Sequence, residues 1–295
     1  MSKLLIDGRD QMFILFEQLE IQKLSESEVY SEFDEETYRM ILREAEKLAT
    51  NTMMPTCSET DSIGCILKDG KVIVPEFFHE LWRLWNEGEW RRIDLPVDIG
   101  GQGLPIIVGM AANEYFEAAN LAFQTFVAMP RGEAFLIARH GTEEQKKKYV
   151  EKILSGQWTG TMVLTEAEAG SDVGATKTTA TPNSDGTYTI TGNKIFITAG
   201  DHDLAENFIH LTLARVKGAP PGTKGLSLFL VPKYRVNPDG SIGENNDTKV
   251  ISIEKKMGLK GSPTCQLMFG EDGRCIGELV GEVNRGMNHL TTFWR

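Results

Sequence analysis

The spacing of apolar residues changes near Gly156, and this change limits the possible folds more than any other feature of the 295-residue sequence. Before it, apolar residues recur at helical spacing, as in residues 36–50, and the stretch 105–126 is apolar on most sides. After it, threonine, valine, isoleucine and glycine become frequent, and short alternating segments lie between turn residues. We therefore predict an α+β protein, with an all-helical N-terminal domain at 1–156 and a β-barrel or β-sandwich domain at 157–278.

Short motifs indicate where several elements begin and end. Thr142 and Gln145 have the spacing of a capping box, which predicts a helix over 143–154. The Asp185-Gly186 pair separates two alternating segments and is typical of the turn of a β-hairpin. An exposed loop is predicted at 237–247, where Asn, Gly and Asp are frequent. Strands are predicted at 177–181, 187–191, 208–216, 226–232, 250–253 and 264–269.

Composition argues against some classes of function. The formal net charge of −11 is unlike that of a nucleic-acid-binding surface. The four cysteines are widely scattered and lack metal-ligand spacing, so reduced thiols are expected and no metal site is predicted. Residues 1–8 lack the apolar core of a signal peptide, and no window has the apolar length of a membrane span. These features predict a protein that acts in the cytoplasm.

The segment 161–174 has the features of a ligand-binding turn. An apolar, β-favouring strand at 161–165 runs into a turn rich in small residues, among them Gly170 and Ser171. Glycine lets a backbone come close to a ligand, and successive N–H groups in such a turn form a concave site for an anion such as a pyrophosphate.

The segment 194–199 supplies a second half of the same site. Alternation along a strand puts Phe196 and Thr198 on one face and Ile195 and Ile197 on the other. An aromatic plane beside a hydroxyl is what a flat heterocycle with a polar ring nitrogen would need. An ordinary hairpin with a capped turn is the alternative explanation for any one of these residues.

The order of the motifs is more specific than any single residue. Leu164-Thr-Glu-x-x-Ala-Gly-Ser-Asp172, followed by Lys194-Ile-Phe-Ile-Thr-Ala199, resembles the acyl-CoA dehydrogenase flavoprotein family. The longer segments 160–166, 194–202 and 206–211 resemble its large-subunit branch, which includes enzymes similar to 3-methylmercaptopropionyl-CoA dehydrogenase. The resemblance extends over almost the whole chain but includes only the N-terminal and middle domains of the family's three.

The resemblance implies that FAD is bound and assigns a contact to each matching residue of the first segment. Met162 and Leu164 would offer backbone groups to the isoalloxazine ring, and Thr165 would hydrogen-bond its pyrimidine edge. Gly170 and Ser171 would contact the pyrophosphate. Ser171 would also lie near the thioester end of an acyl-CoA substrate.

In the second segment, the resemblance implies that Phe196 packs on the flavin and that the Thr198 hydroxyl lies near flavin N5. Ile197, between them, completes the set of residues expected to bind the cofactor.

The implied reaction is α,β-dehydrogenation of an acyl-CoA thioester, with hydride transfer to flavin N5 and electrons passed to an electron-transfer flavoprotein. The family's catalytic glutamate lies in a C-terminal helical bundle, and residues 279–295 are expected to be only the start of the connection to that bundle. No catalytic residue is therefore predicted in this chain. Glu166 belongs to the shared motif and Glu168 falls in a turn expected to be solvated, so neither is assigned as a substitute base.

Two other functions remain open on the sequence. One is a non-catalytic subunit or remnant that pairs with an intact homologue, and the other is a flavin oxidase or monooxygenase of the same fold. A homo- or hetero-oligomer is expected, with the bundle supplied by a second chain as one arrangement.

Overall fold

The computed structural model describes residues 5–293. Residues 1–4 and 294–295 lie outside the described range. The predictions made for residues 1–8 and 279–295 therefore fall partly outside it. The α-helices are α1 (Gly8–Met12), α2 (Glu35–Leu48), α3 (Cys57–Ile63), α4 (Phe77–Glu87), α5 (Ile106–His140), α6 (Glu143–Gln145), α7 (Glu151–Leu154) and α8 (Gly286–Leu290). π-Helical segments are Phe13–Gln18, Ala49–Met53 and Lys146–Val150, and 3₁₀ turns are Ile21–Glu26, Glu28–Tyr30, Met54–Thr56, Trp90–Arg92, Val97–Ile99, Val173–Ala175 and Thr223–Gly225.

The central helix α5 is longer than the predicted stretch 105–126 and is bent. Asn120 has the non-helical torsions φ −156° and ψ 85°. Its side chain donates to the hydroxyls of Thr56 (3.0 Å) and Thr60 (3.2 Å) and accepts from the Phe123 amide (3.2 Å). Asn120 thus caps the second half of the helix, which the apolar pattern alone does not reveal.

The predicted helical N-terminal domain is confirmed, but it is not all-helical, because it includes a short hairpin. β1 (Ile66–Lys68) pairs with β2 (Lys71–Ile73). Val72 is fully buried among residues of the following domain, and its amide donates to Asp201 at 3.3 Å. The hairpin therefore fastens the helical domain to the β domain. Three-residue strands give too weak a pattern to be predicted from sequence.

The β domain is a barrel rather than a sandwich. Its strands are β3 (Trp158–Val163), β4 (Thr179–Pro182), β5 (Tyr188–Thr198), β6 (Asn207–Val216), β7 (Leu226–Pro232), β8 (Tyr234–Val236), β9 (Ile242–Asn245), β10 (Thr248–Ile253), β11 (Thr264–Phe269) and β12 (Ile276–Val280). β5 pairs with β4 and β12, β7 pairs with β12 and β6, and β4 pairs with β6, so these five strands form a closed ring. β3 extends the sheet in parallel with β6, and β11 and β10 extend it from β5.

The predicted capping box is confirmed, whereas the predicted exposed loop 237–247 is partly wrong. Thr142 and Gln145 cap the helical segment that begins at Glu143. Within the predicted loop, β9 pairs with β8. Asn246 is fully buried. Its side-chain oxygen accepts from the backbone amide of Ile276 (2.9 Å) and its side-chain nitrogen donates to a backbone carbonyl of β7 (2.9 Å), so both polar atoms are satisfied. Only the turn between β8 and β9 is a solvated loop.

The end of the barrel is also displaced from the predicted boundary. Residue 278 lies inside β12, so the last strand continues into the segment assigned to the linker. After α8, the chain packs on α5, and a Cβ at Gly132 would lie 2.7 Å from the Phe293 carbonyl oxygen. Within residues 5–293 no helical bundle follows the barrel. No helix in this range combines the length and apolarity needed to cross a bilayer.

Candidate functional site

The first element of the candidate site is the end of β3. Thr161 and Val163 are fully buried, while Met162, Leu164 and Thr165 are only partly covered. Met162 and Leu164 lie against the apolar cluster between the barrel and the second half of α5. The last residues of β3 and the two that follow it therefore form a partly open edge on an otherwise closed sheet.

A glycine lets β3 approach α5 closely. At Gly160 an ideal Cβ would lie 1.4 Å from an oxygen of Glu133, so no other residue fits there without moving the helix or the carboxyl group. Glu133 is fully buried and, among the described residues, neither of its oxygens has a hydrogen-bond partner. Burial raises the pKa of Glu133 well above its ordinary value and so favours the protonated form of this carboxyl group.

The turn after β3 is short and exposed. Glu166 and Ala169 exchange two backbone hydrogen bonds of 3.1 Å, and Gly170 and Ser171 follow on the surface. A Cβ at Gly170 would meet only the Thr165 methyl group at 3.9 Å, so Thr165 and Gly170 are neighbours with open space beside them. Asp172, which precedes the Val173–Ala175 turn, makes no side-chain capping hydrogen bond.

The second element of the site is a bulge in β5. Lys194 pairs with Leu267 and Ile197 with Cys265, so Ile195 and Phe196 together face the one residue Gln266. Phe196 takes the left-handed conformation (φ 58°), and its side chain is 57% exposed. Left-handed torsions are unfavourable for a bulky side chain and cluster at functional sites.

The bulge changes the predicted alternation along β5. In a regular strand Lys194 and Phe196 would share one face, but Lys194 is fully buried and Phe196 is exposed. Ile197 points into the barrel core, and Thr198 is partly covered opposite Thr264. Phe196 is thus the exposed residue of the segment, Ile195 and Thr198 are partly covered, and Ile197 can offer a ligand only its backbone.

The two elements are joined by direct hydrogen bonds. The Ile195 amide donates to the Thr165 carbonyl at 2.9 Å. The Lys194 ammonium group donates to the Leu164 carbonyl at 2.8 Å and lies 2.9 Å from the Glu166 carboxylate. The open edge of β3 and the bulge of β5 are therefore held side by side.

Glu166 completes this frame. Its carboxylate accepts from the Thr178 amide (3.0 Å) and hydroxyl (2.6 Å) and from the Lys177 amide (2.7 Å). Burial alone would raise the pKa of Glu166, but the charge of Lys194 and these hydrogen bonds outweigh it and lower that pKa. Burial also lowers the pKa of Lys194, to about 8.

These contacts decide which carboxylates could act as a base. Glu166 is ionised, almost buried and holds four donors, so it is poorly placed to take a proton from a substrate. Glu168 is exposed, and its carboxylate is paired with Lys177. Sequence reasoning assigned neither residue a catalytic role, and it missed the structural role of Lys194, although its apolar neighbours indicate a buried lysine that needs a partner.

A further cavity, of about 220 Å³, lies on the α5 side of the site. Its lining includes Gln124, Met129 and the ion pair of Arg131 with Asp94 (2.8 Å). Met129 lies against the same apolar cluster as Met162 of β3. The Gln124 amide nitrogen is buried and has no hydrogen-bond partner among the described residues. Sequence reasoning did not identify this cavity, because its walls come from distant segments.

The predicted residues are only partly brought together. Thr165, Phe196 and Thr198 lie along the joined edge of β3 and β5, and Gly170 adjoins Thr165. Ser171 is exposed, and within residues 5–293 no hydrogen bond connects its side chain to the others. The edge thus presents an accessible aromatic ring with two hydroxyl groups, next to a glycine-containing turn.

Two family models together match most of the chain. Residues 35–157 match the family model "Acyl-CoA dehydrogenase, N-terminal domain", and residues 161–271 match "Acyl-CoA dehydrogenase, middle domain". The chain belongs to the acyl-CoA dehydrogenase family.

Particular relatives support the predicted branch. The chain is 36% identical over 282 residues to 3-methylmercaptopropionyl-CoA dehydrogenase of Ruegeria pomeroyi, and that match covers 96% of this chain and 47% of the relative. It is 42% identical over 287 residues to the broad-specificity linear acyl-CoA dehydrogenase FadE5 of Mycobacterium tuberculosis, with the same coverage of 96% and 47%. The chain therefore spans about half the length of the curated relatives it matches.

Solved structures show the same fold. Butyryl-CoA dehydrogenase from Megasphaera elsdenii matches with a TM-score of 0.66 and 25% identity, over 85% of this chain and 60% of that one. An acyl-CoA dehydrogenase from Bacillus anthracis, solved in complex with FAD, matches with a TM-score of 0.68 and 26% identity, over 89% of this chain and 40% of that one.

Proposed function

We propose that this chain supplies the flavin-binding part of an FAD-dependent acyl-CoA dehydrogenase. The observation that carries the proposal is the fixed juxtaposition of the β3 end with the β5 bulge through Lys194 and Glu166. Lys194 and Glu166 form a buried, hydrogen-bonded frame beside the exposed Phe196, whose backbone is strained. We infer that this strain is retained because the Phe196 ring packs on a flat ligand.

The residues of this edge fit the flavin ring. The Phe196 ring provides an apolar face, and the Thr165 and Thr198 hydroxyls provide hydrogen-bonding groups for its polar atoms. The Leu164 carbonyl already accepts from Lys194, so its amide is the main backbone group left for the ring, with Met162 and Ile197 contributing backbone beside it.

The turn after β3 fits the phosphate end of the cofactor. Gly170 has open space on its Cβ side, and Ser171 is exposed next to it, so both can approach a pyrophosphate. We extend the role of Ser171 to the thioester end of the substrate. The exposed position of its hydroxyl supports this role, because the group is free to turn towards a ligand.

FAD, when bound, supplies the acceptor for a hydride from the β-carbon while a carboxylate base takes the α-proton, so that the acyl thioester is oxidised to a 2-enoyl thioester and the flavin is reduced. Glu166 and Glu168 cannot serve as this base for the reasons given above. We infer that the base comes from the half of the relatives' length that this chain does not match.

The partners of the whole protein form part of the proposal. We propose an acyl-CoA substrate, an electron-transfer flavoprotein as electron acceptor, and assembly into a homo- or hetero-oligomer in which a bundle-bearing segment covers the flavin. The four cysteines are free thiols, which supports a reducing compartment, and we place the protein in the cytoplasm.

Visible spectroscopy of the purified chain tests this function. With added FAD, we expect a shifted and better resolved flavin band that remains when butyryl-CoA is added without oxygen. Bleaching by butyryl-CoA would contradict the placement of the base outside this chain. No spectral change with FAD would contradict the flavin site and favour the non-catalytic remnant.

A further inference from the structure

A second cavity lies between the two domains, away from the flavin edge. It has a volume of about 310 Å³ and is enclosed by the turn of the β1–β2 hairpin and by β6, β10 and the end of β7. None of the eight residues assigned to FAD lines it. The residues that matter for its chemistry are Asp69, Lys71, His210, Lys233, Thr248 and Lys249.

His210 forms the floor of this cavity and is only 2% exposed. Its Nδ1 lies 2.7 Å from the Thr161 hydroxyl, and its ring stacks on Phe208 and meets the edge of Phe269. Within residues 5–293, Nε2 has no hydrogen-bond partner. Nε2 is therefore the ring nitrogen that can meet a ligand or water in the cavity.

The walls of the cavity carry more positive than negative groups, in a chain whose net charge is −11. Three lysines and a single carboxylate, Asp69, line it. Lys233 is held by the buried Asp201 at 2.5 Å, and Lys249 pairs with a glutamate on the surface. Among the described residues Lys71 has no carboxylate within ion-pair distance, so its ammonium group is free to meet a ligand.

We propose that this cavity binds a small oxyanion, the phosphate or carboxylate group of a metabolite. Nδ1 of His210 is taken by the Thr161 hydroxyl, so Nε2 is the ring nitrogen left for the ligand, and in the tautomer with its proton on Nε2 the ring donates to a ligand oxygen. Lys71, on the hairpin turn, closes over the ligand from the other domain and supplies the charge. Burial keeps the imidazole neutral, since it lowers the pKa of His210 to about 3.

Binding of inorganic phosphate and of succinate to the chain tests this site, with sodium chloride at equal ionic strength as the reference. Both oxyanions are expected to raise the melting temperature and to bind with a measurable heat, and chloride is not. Lys71→Gln is expected to weaken binding at least tenfold. The matched control is Lys68→Gln, because Lys68 pairs with Lys71 across the hairpin but does not line the cavity.

A second variant addresses the buried donor. His210→Phe keeps an aromatic ring between Phe208 and Phe269 and removes Nε2, so oxyanion affinity is expected to fall at least tenfold in the folded protein. Equal affinities for Lys68→Gln and Lys71→Gln, or an equal response to chloride, would overturn the site. FAD binding serves as the independent control, and Lys71→Gln is expected to leave it unchanged.

Discussion

Two buried lysine–carboxylate pairs in the β domain have similar chemistry and different surroundings. Lys194 and Glu166, 2.9 Å apart, join the β3 end to the β5 bulge, and the carboxylate accepts three more hydrogen bonds. Lys233 and Asp201, 2.5 Å apart, lie where the β1–β2 hairpin meets the barrel.

The pKa values of the two acids respond in opposite ways. Burial is the largest influence on both. In Glu166 the charge of Lys194 and the hydrogen bonds outweigh burial and lower the pKa. In Asp201 burial prevails over Lys233 and raises the pKa. The first pair closes a frame of hydrogen bonds between two strands of the barrel, whereas the second pair lies where the hairpin of the helical domain contacts the barrel.

The largest expected effect comes from breaking the frame. Lys194→Met leaves the Glu166 charge buried without its cation, which costs about 3–5 kcal/mol of the free energy of unfolding. FAD binding is expected to disappear as well, because the β3 end and the β5 bulge lose their connection. Urea unfolding and flavin fluorescence measure the two effects.

Lys233→Met is the matched variant for the pair at the interdomain contact. It leaves Asp201 buried and unpaired, so a loss of stability of the same order, about 3–5 kcal/mol, is expected. In the fraction that remains folded, FAD affinity is expected to be retained. If both variants lost FAD affinity equally, the distinction between the frame and the interdomain contact would be wrong.

The next effect is the loss of stability in acid that is expected from the buried His202 in the interdomain region. Burial, assisted by the charge of Lys233, lowers the pKa of His202 to about 3. The unfolded chain binds protons at this site below the ordinary pKa of about 6.5, so the associated stability is present above that pH and is lost as the pH falls towards 3. At pH 5 the loss is about 2 kcal/mol.

His202→Phe is expected to remove this part of the acid sensitivity, because a phenyl ring fits the aromatic surroundings of Trp82, Phe126 and Phe208 and does not titrate. Urea unfolding between pH 7 and pH 5 measures the slope. An unchanged slope would contradict the assignment of the acid sensitivity to the interdomain region.

A smaller effect is expected at the bulge. Phe196→Gly relieves the left-handed torsion at φ 58° and is expected to stabilise the folded chain by about 1 kcal/mol while FAD affinity falls. Ile242→Ala, which removes an exposed apolar side chain from β9, is the control and should change neither quantity appreciably. A loss of stability in Phe196→Gly would contradict the view that the strain serves ligand binding.

The sequence predicted those parts of the fold that depend on local patterns. The capping box at Thr142, the Asp185-Gly186 turn and the strands that follow Gly156 all formed, because spacing and turn chemistry specify them locally. The extension of α5 past its proline was missed, since packing against the barrel sustains a helix that propensity would end.

The residues proposed for the candidate site come from the sequence, whereas its construction could not be predicted from the sequence. Thr165, Phe196 and Thr198 were found from the order of motifs, and the structure places them along one edge. The bulge depends on pairing with β11, which lies about 70 residues further along the chain, and the Lys194–Glu166 frame depends on a contact between strands. Neither leaves a local pattern in the sequence.

The central claim is that the edge formed by the β3 end and the β5 bulge binds FAD. The most direct test compares FAD affinity in Thr198→Val and Thr191→Val, which make the same change at the bulged end of β5 and at an exposed position nearer its start. We predict that Thr198→Val weakens FAD binding at least tenfold and that Thr191→Val leaves it unchanged. Equal affinities in the two variants would contradict the account.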